Sequence, residues 1–92
     1  MRSVRYRAKA QEDLRSIADY YGSIDPDVAA RILADIERAI AFLRGFPHLG
    51  QSVHGRPLRG KLTRRYRFKV IYRVTRDAIE ITGIFRFQNR DA

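Results

Sequence analysis

Residues 64–74 read Arg64-Arg65-Tyr66-Arg67-Phe68-Lys69-Val70-Ile71-Tyr72-Arg73-Val74, and their period of two marks a β-strand. Tyr66, Phe68, Val70, Tyr72 and Val74 are apolar or aromatic; Arg65, Arg67, Lys69 and Arg73 are cationic, with Ile71 breaking the series. Successive strand side chains point to opposite faces, so one face suits a core and the other is a row of positive charge. A solvated face ordinarily mixes signs. One that is almost all positive implies an anionic partner.

The charge of the whole chain supports that reading. Its net +9 is concentrated in the second half: residues 1–52 hold eight Lys/Arg against seven Asp/Glu, and residues 53–92 hold eleven against three. A charge serving solubility alone would be spread evenly, so the asymmetry favours a binding surface for nucleic acid or an acidic protein. The 92 residues, 45% of them hydrophobic, are enough for one domain over 1–92 with its own core. There is no cysteine, which excludes a disulfide frame and thiolate metal sites and suits a reducing cytoplasm. The start, Met1-Arg2-Ser3-Val4-Arg5, lacks the apolar run of a signal peptide. No stretch approaches the ~20 apolar residues of a membrane span.

Working outward from the strand, Val4, Tyr6 and Ala8 alternate with Arg5, Arg7 and Lys9, predicting a first strand over about 2–7. Leu14, Ile17, Ala18 and Tyr21 then recur at helical spacing, with Gly22 suited to the position past the helix end. Asp25-Pro26-Asp27 signals a second helix through an N-cap, a first-turn proline and an acid near the positive dipole end. Its apolar stripe is Ala29, Ile32, Leu33, Ile36, Ala39, Ile40 and Leu43, and Gly45 with Pro47 stops it. The short link makes the two helices an antiparallel hairpin. Glu12, Asp13, Asp19, Asp35 and Glu37 read as its solvated outer surface.

Strands are expected at about 57–62, 65–75 and 79–87, the last two joined by a tight turn at Arg76-Asp77. In the last, Ile79, Ile81, Phe85 and Phe87 would share one face, with Gly83 between them, and Glu80, Thr82, Ile84 and Arg86 the other. The order β-α-α-β-β-β gives an α+β domain, a helical hairpin on one face of a small, mostly antiparallel sheet. The opposite face would then collect Arg59, Lys61, Arg65, Arg67, Lys69, Arg73 and Arg86, a set of donors suited to phosphate or carboxylate.

Signatures of catalysis are sparse. His48 and His54 flank a turn with no acid cluster or cysteine beside them, so no metal site is expected. Gly-rich nucleotide loops and nucleophile elbows are absent, and no cofactor is implied. A Lys/Arg/Tyr cluster can cut RNA when a tuned group moves protons. Lys61, Tyr66, Lys69, Arg73 and Arg86 supply those residue types, although Tyr66 shares parity with the core positions.

Several segments, taken in order, resemble the RelE/ParE superfamily of type II toxin–antitoxin toxins, and more closely its ParE-like branch. Ala10-Gln11-Glu12-Asp13-Leu14-Arg15-Ser16-Ile17 with Tyr20-Tyr21 is similar to the family's opening helix. Pro26 and Ala29-Ala30 match the start of its second helix, and Leu43 with Phe46-Pro47-His48-Leu49-Gly50 matches that helix's exit. Leu58-Arg59, Val70-Ile71-Tyr72-Arg73-Val74, Ile79-Glu80-Ile81 and Ile84-Phe85 follow its strands.

The resemblance implies a cytoplasmic toxin causing growth arrest and neutralised by an antitoxin encoded beside it. ParE-like members are associated with inhibition of DNA gyrase, RelE-like members with ribosome-dependent mRNA cleavage. Many ParE-like toxins carry a His where this chain has Arg86-Phe87, and RelE-like nucleases use a C-terminal tyrosine, whereas no tyrosine follows Tyr72. The expectation is therefore a binding toxin acting on gyrase rather than an enzyme. The alternatives are a ribosome-dependent mRNA endonuclease using Lys61, Lys69, Arg73 and Arg86, and a non-toxic basic module that binds nucleic acid. The antitoxin is expected to dock near Leu14, Ile17 and Tyr21 on the hairpin and on the basic sheet face.

Overall fold

In a computed structural model, which describes residues 2–87, the chain runs β1 (Ser3–Tyr6), α1 (Ala8–Ile24), α2 (Pro26–Gly45), β2 (Gln51–Ser52), β3 (Arg59–Leu62), β4 (Phe68–Val74) and β5 (Ala78–Arg86). Residue 1 and residues 88–92 lie outside the described residues. The α+β order is the expected one, with a two-residue strand, β2, added at the sheet edge. The strands lie in the order β1-β5-β4-β3-β2; β1 pairs parallel to β5 and the other pairs are antiparallel.

Asp25 is the whole link between the helices. Its N–H donates to Tyr21 O (2.8 Å), closing α1, while its carboxylate accepts from Asp27 N (3.0 Å) and Val28 N (3.4 Å), opening α2. One residue thus caps two helices, which forces the antiparallel hairpin. The first helix runs through Gly22 to Ile24 instead of stopping before it. No positive φ is needed at Gly22, because the chain turns at Asp25 in an extended conformation.

The hairpin covers one sheet face, α1 on β5 and α2 on β4. Ile17, Ile32, Ile36, Ile40 and Leu43 of the helices meet Phe68, Val70, Tyr72, Ile79, Ile81 and Ile84 of the sheet. Tyr72 is fully buried, yet its hydroxyl donates to Pro47 O (2.7 Å) and accepts from Gly50 N (2.9 Å). Burial pushes this phenol up from its ordinary value, against the Gly50 hydrogen bond and the nearby Arg59 charge. The ring passes so close that a Cβ on Gly50 would lie 2.2 Å from the hydroxyl oxygen, so only glycine fits there.

Two features depart from the strand alternation. The segment Arg64–Arg67 is a turn and not part of the long strand: Arg67 has φ 58°, and Thr63 N donates to Phe68 O (2.7 Å) across it. The turn is held from below by Asp35, which is 2% exposed. Asp35 accepts from Tyr66 N (2.8 Å) and Arg65 N (3.1 Å), so it is no part of the solvated helix surface expected for it. It lies three residues from Ile32 and four from Ala39, on the stripe that faces the sheet. Burial alone would push its carboxyl up, but the Tyr66 N–H, the Thr63 hydroxyl, the Arg65 N–H and the Arg38 charge hold it below the usual carboxylate range.

The second departure is a β-bulge. Tyr72 pairs with Ile81 but Ile71 pairs with Gly83, leaving Thr82 as the extra residue. Beyond it the parity of β5 inverts. Ile84 turns into the core and Phe85 turns out, 48% exposed, the reverse of the expected faces. Asp13 fixes this end of the strand where β1 no longer pairs with it, accepting from Ile84 N (2.9 Å) while ion-paired with Lys9. Asp13 too is therefore structural.

Candidate binding surface

The face of the sheet opposite the helices is the candidate site. Residues paired across a ladder share a face. Lys69 pairs with Phe85, Arg73 with Glu80, and Arg5 with Glu80 through the parallel pair, and these side chains stand on the open side. Glu80 is clamped by Arg73 (3.0 Å) and Arg7 (3.5 Å). A shallow cleft beside this clamp is lined by Arg7, Arg56, Pro57, Leu58, Arg73 and Thr82, where the loop before β3 folds over the sheet edge.

At the other end of the face, Lys69 lies flat across β3. Gly60 makes room for it: a Cβ there would meet the Lys69 Cε at 2.6 Å. The Lys69 ammonium sits 5.1 Å from the centre of the Phe87 ring and the Arg67 guanidinium 5.8 Å from the same ring. Arg65 stands 5.8 Å from the ring of Tyr66. The turn and the end of β5 thus present rings and cations together.

The seven cations expected on one face are divided by the structure. Lys69 and Arg73 are on the open face. Arg65 and Arg67 belong to the Asp35-held turn at its rim, because the chain leaves the ladder before Phe68. Arg59 and Lys61 pair with Tyr72 and Val70, which puts them on the helix side. Arg59 donates to His48 O (3.0 Å) and Gly50 O (2.9 Å), pinning the loop that Tyr72 also holds, and Lys61 lies 5.1 Å over the Phe42 ring of α2. Arg86 pairs with Phe68 past the bulge and reaches Tyr21 Oη (3.2 Å), again on the helix side. The four residues of the nuclease alternative, Lys61, Lys69, Arg73 and Arg86, therefore do not converge on one point. Among the described residues no group of three or more His, Cys, Asp or Glu is placed to hold a metal ion.

The hairpin residues are divided as well. Ile17 lies in the core, because the stripe that makes α1 amphipathic is the stripe that faces β5. Tyr21 packs edge-on against Phe68 at 6.0 Å. Leu14 does line a surface groove between the helices, with Tyr6, Ala18, Leu33 and Ile40 on its walls and Arg15 and Glu37 also lining it. Tyr20 and Ile24 are exposed near the end of α1. Sequence reasoning missed Phe85, Arg7 and Arg56. Gly83 inside a strand pattern is the signal that could have raised a bulge, and so Phe85.

A family model described as the ParE toxin of the type II toxin–antitoxin system parDE matches residues 4–91. Among solved structures, the chain is similar to one from the chromosomal ParDE toxin–antitoxin system of P. aeruginosa, at 26% identity and a TM-score of 0.82. That match covers 96% of this chain and 98% of the other. No curated protein sequence matches. The chain belongs to the ParE toxin family.

Proposed function

We propose that this ParE-family toxin arrests growth by binding DNA gyrase in the cytoplasm, and that an antitoxin encoded beside it restrains it. The observation that carries a binding rather than a catalytic action is the scatter of the basic residues. General acid–base work needs groups within hydrogen-bond reach of one reacting centre. Here Lys61 and Arg86 lie on the helix side, Arg73 is engaged by Glu80, and Lys69 lies over Phe87. Purified protein should block supercoiling by gyrase and trap its cleaved DNA, leaving translated mRNA uncut. Unchanged supercoiling at saturating protein would remove gyrase as the target, and cuts within translated codons would favour the nuclease alternative.

For the antitoxin, the groove of Leu14, Ala18, Leu33 and Ile40 suits the apolar stripe of an amphipathic helix. The cations of the open sheet face suit an acidic extended segment following it. Leu14→Glu should weaken antitoxin binding at least roughly tenfold, since it places a charge against apolar walls. Unaltered affinity would move the helix elsewhere on the toxin.

A further inference from the structure

We propose that the open sheet face also binds single-stranded nucleic acid, with bases stacked on Phe85 and Phe87 and phosphates held by Arg67, Lys69 and Arg73. This goes beyond action on gyrase and does not depend on it.

Three observations carry it. The bulge at Thr82 turns Phe85 out of the core, so a large ring stands in water near the end of β5, opposite Lys69. A lone exposed ring needs no explanation, but this one shares its face with Lys69, whose ammonium lies over Phe87 two residues on. Next, the neighbouring ring, Phe87, is flanked by Arg67 and Lys69 at 5.8 and 5.1 Å, which puts a flat π-surface and two cations within one nucleotide's reach. Interleaved rings and cations are what sequence-tolerant binding of single strands uses. Finally, β4 is paired on both sides at 69–72 and β5 at 78–81, and beyond that the Asp13 carboxylate takes the Ile84 N–H. No further strand can be added along those stretches. Recognition must come from side chains on the flat face, and stacked bases meet that condition without any backbone pairing. The cations of the surface are Arg67 at its rim, Lys69 on β4 and, past Ile71, Arg73. Its carboxylate, Glu80, is neutralised by Arg7 and Arg73.

The test is fluorescence anisotropy of the purified full chain with labelled oligothymidylate and oligouridylate of about 12 nucleotides. Both should bind, more weakly as salt rises, and a preference for either names DNA or RNA as the source and supports the proposal. Phe85→Ala should weaken binding roughly 5- to 100-fold, the worth of one stacked base. Phe85→Tyr, which keeps the ring, should restore it. Lys69→Gln should lower the slope of log affinity against log salt by about 0.7. Arg44→Gln, at the end of α2 and outside this face, should change affinity little. Unaltered circular dichroism shows that each variant is folded. The proposal is overturned if Phe85→Ala binds as the parent does, or if a duplex binds as tightly as the single strand.

Discussion

The covered and the open faces of the one sheet are built from the same strands, yet they resist change in different ways. On the covered face Val70, Tyr72, Ile79 and Ile81 are sealed under two helices, and the polar atoms admitted there, those of Tyr72 and Asp35, have all their partners. On the open face Lys69, Arg73 and Phe85 remain in contact with water, and the interactions among them are cation–π contacts and surface ion pairs. Hydrophobic burial and buried hydrogen bonds are worth kilocalories per residue, whereas exposed pairs are worth tenths. The difference teaches where stability and recognition reside. The covered face sets the fold, and the open face can change its residues with little cost to it.

The most severe way to break this contrast is Tyr72→Ala. It removes a buried ring and orphans Gly50 N–H and Pro47 C=O, so stability in urea unfolding should fall by about 3–5 kcal/mol. A loss under about 1 kcal/mol would mean that the loop at 46–50 does not depend on the covered face.

Asp35 comes next. Its folded-state pKa is depressed, so its contribution is fully present above the unfolded carboxylate value near ~3.9 and disappears as pH falls through the lower folded value. Asp35→Asn should cost about 1–3 kcal/mol at neutral pH, and its deficit should shrink in acid below that value. A deficit that stays constant between neutral pH and strong acid would show that the carboxylate charge does not hold the Arg64–Arg67 turn.

The open face should give much smaller numbers. A double-mutant cycle of Arg73→Gln and Glu80→Gln should return about 0.2–1 kcal/mol of coupling. The smallest effect is reserved for Phe85→Ala, which should shift the unfolding free energy by no more than about 0.5 kcal/mol. A loss of several kilocalories at Phe85 would place it in the core and remove the distinction between the two faces.

Most of the architecture could be read from residue order. Periods of two and of 3.6, the Asp25-Pro26-Asp27 start and the Gly45/Pro47 stop depend on neighbours in the chain, and local physics governs them. The faces of residues beyond Thr82 could not be read that way. Alternation tells which residues share a face only while the ladder stays in register, and a single extra residue inverts everything after it. That inversion moved Phe85 outward and Arg86 toward Tyr21, so a single cationic sheet face became a mixed surface of rings and charges.

Asp35 was hidden for a related reason. Its place on the helix stripe could be computed from the sequence, but its partners are the N–H groups of a turn thirty residues away. A carboxylate on a core stripe is unfavourable until a distant loop supplies donors for it.

By itself, then, the sequence determined the α+β order, the helical hairpin, the charge concentrated in the second half and the resemblance to a toxin family, because each rests on composition or short-range spacing. Only the tertiary structure decided which of the cations share a face, that Arg59, Lys61 and Arg86 turn to the helix side, and that Phe85 is offered to solvent. Those outcomes depend on strand register, a bulge and long-range hydrogen bonds, which exist only once the strands have paired.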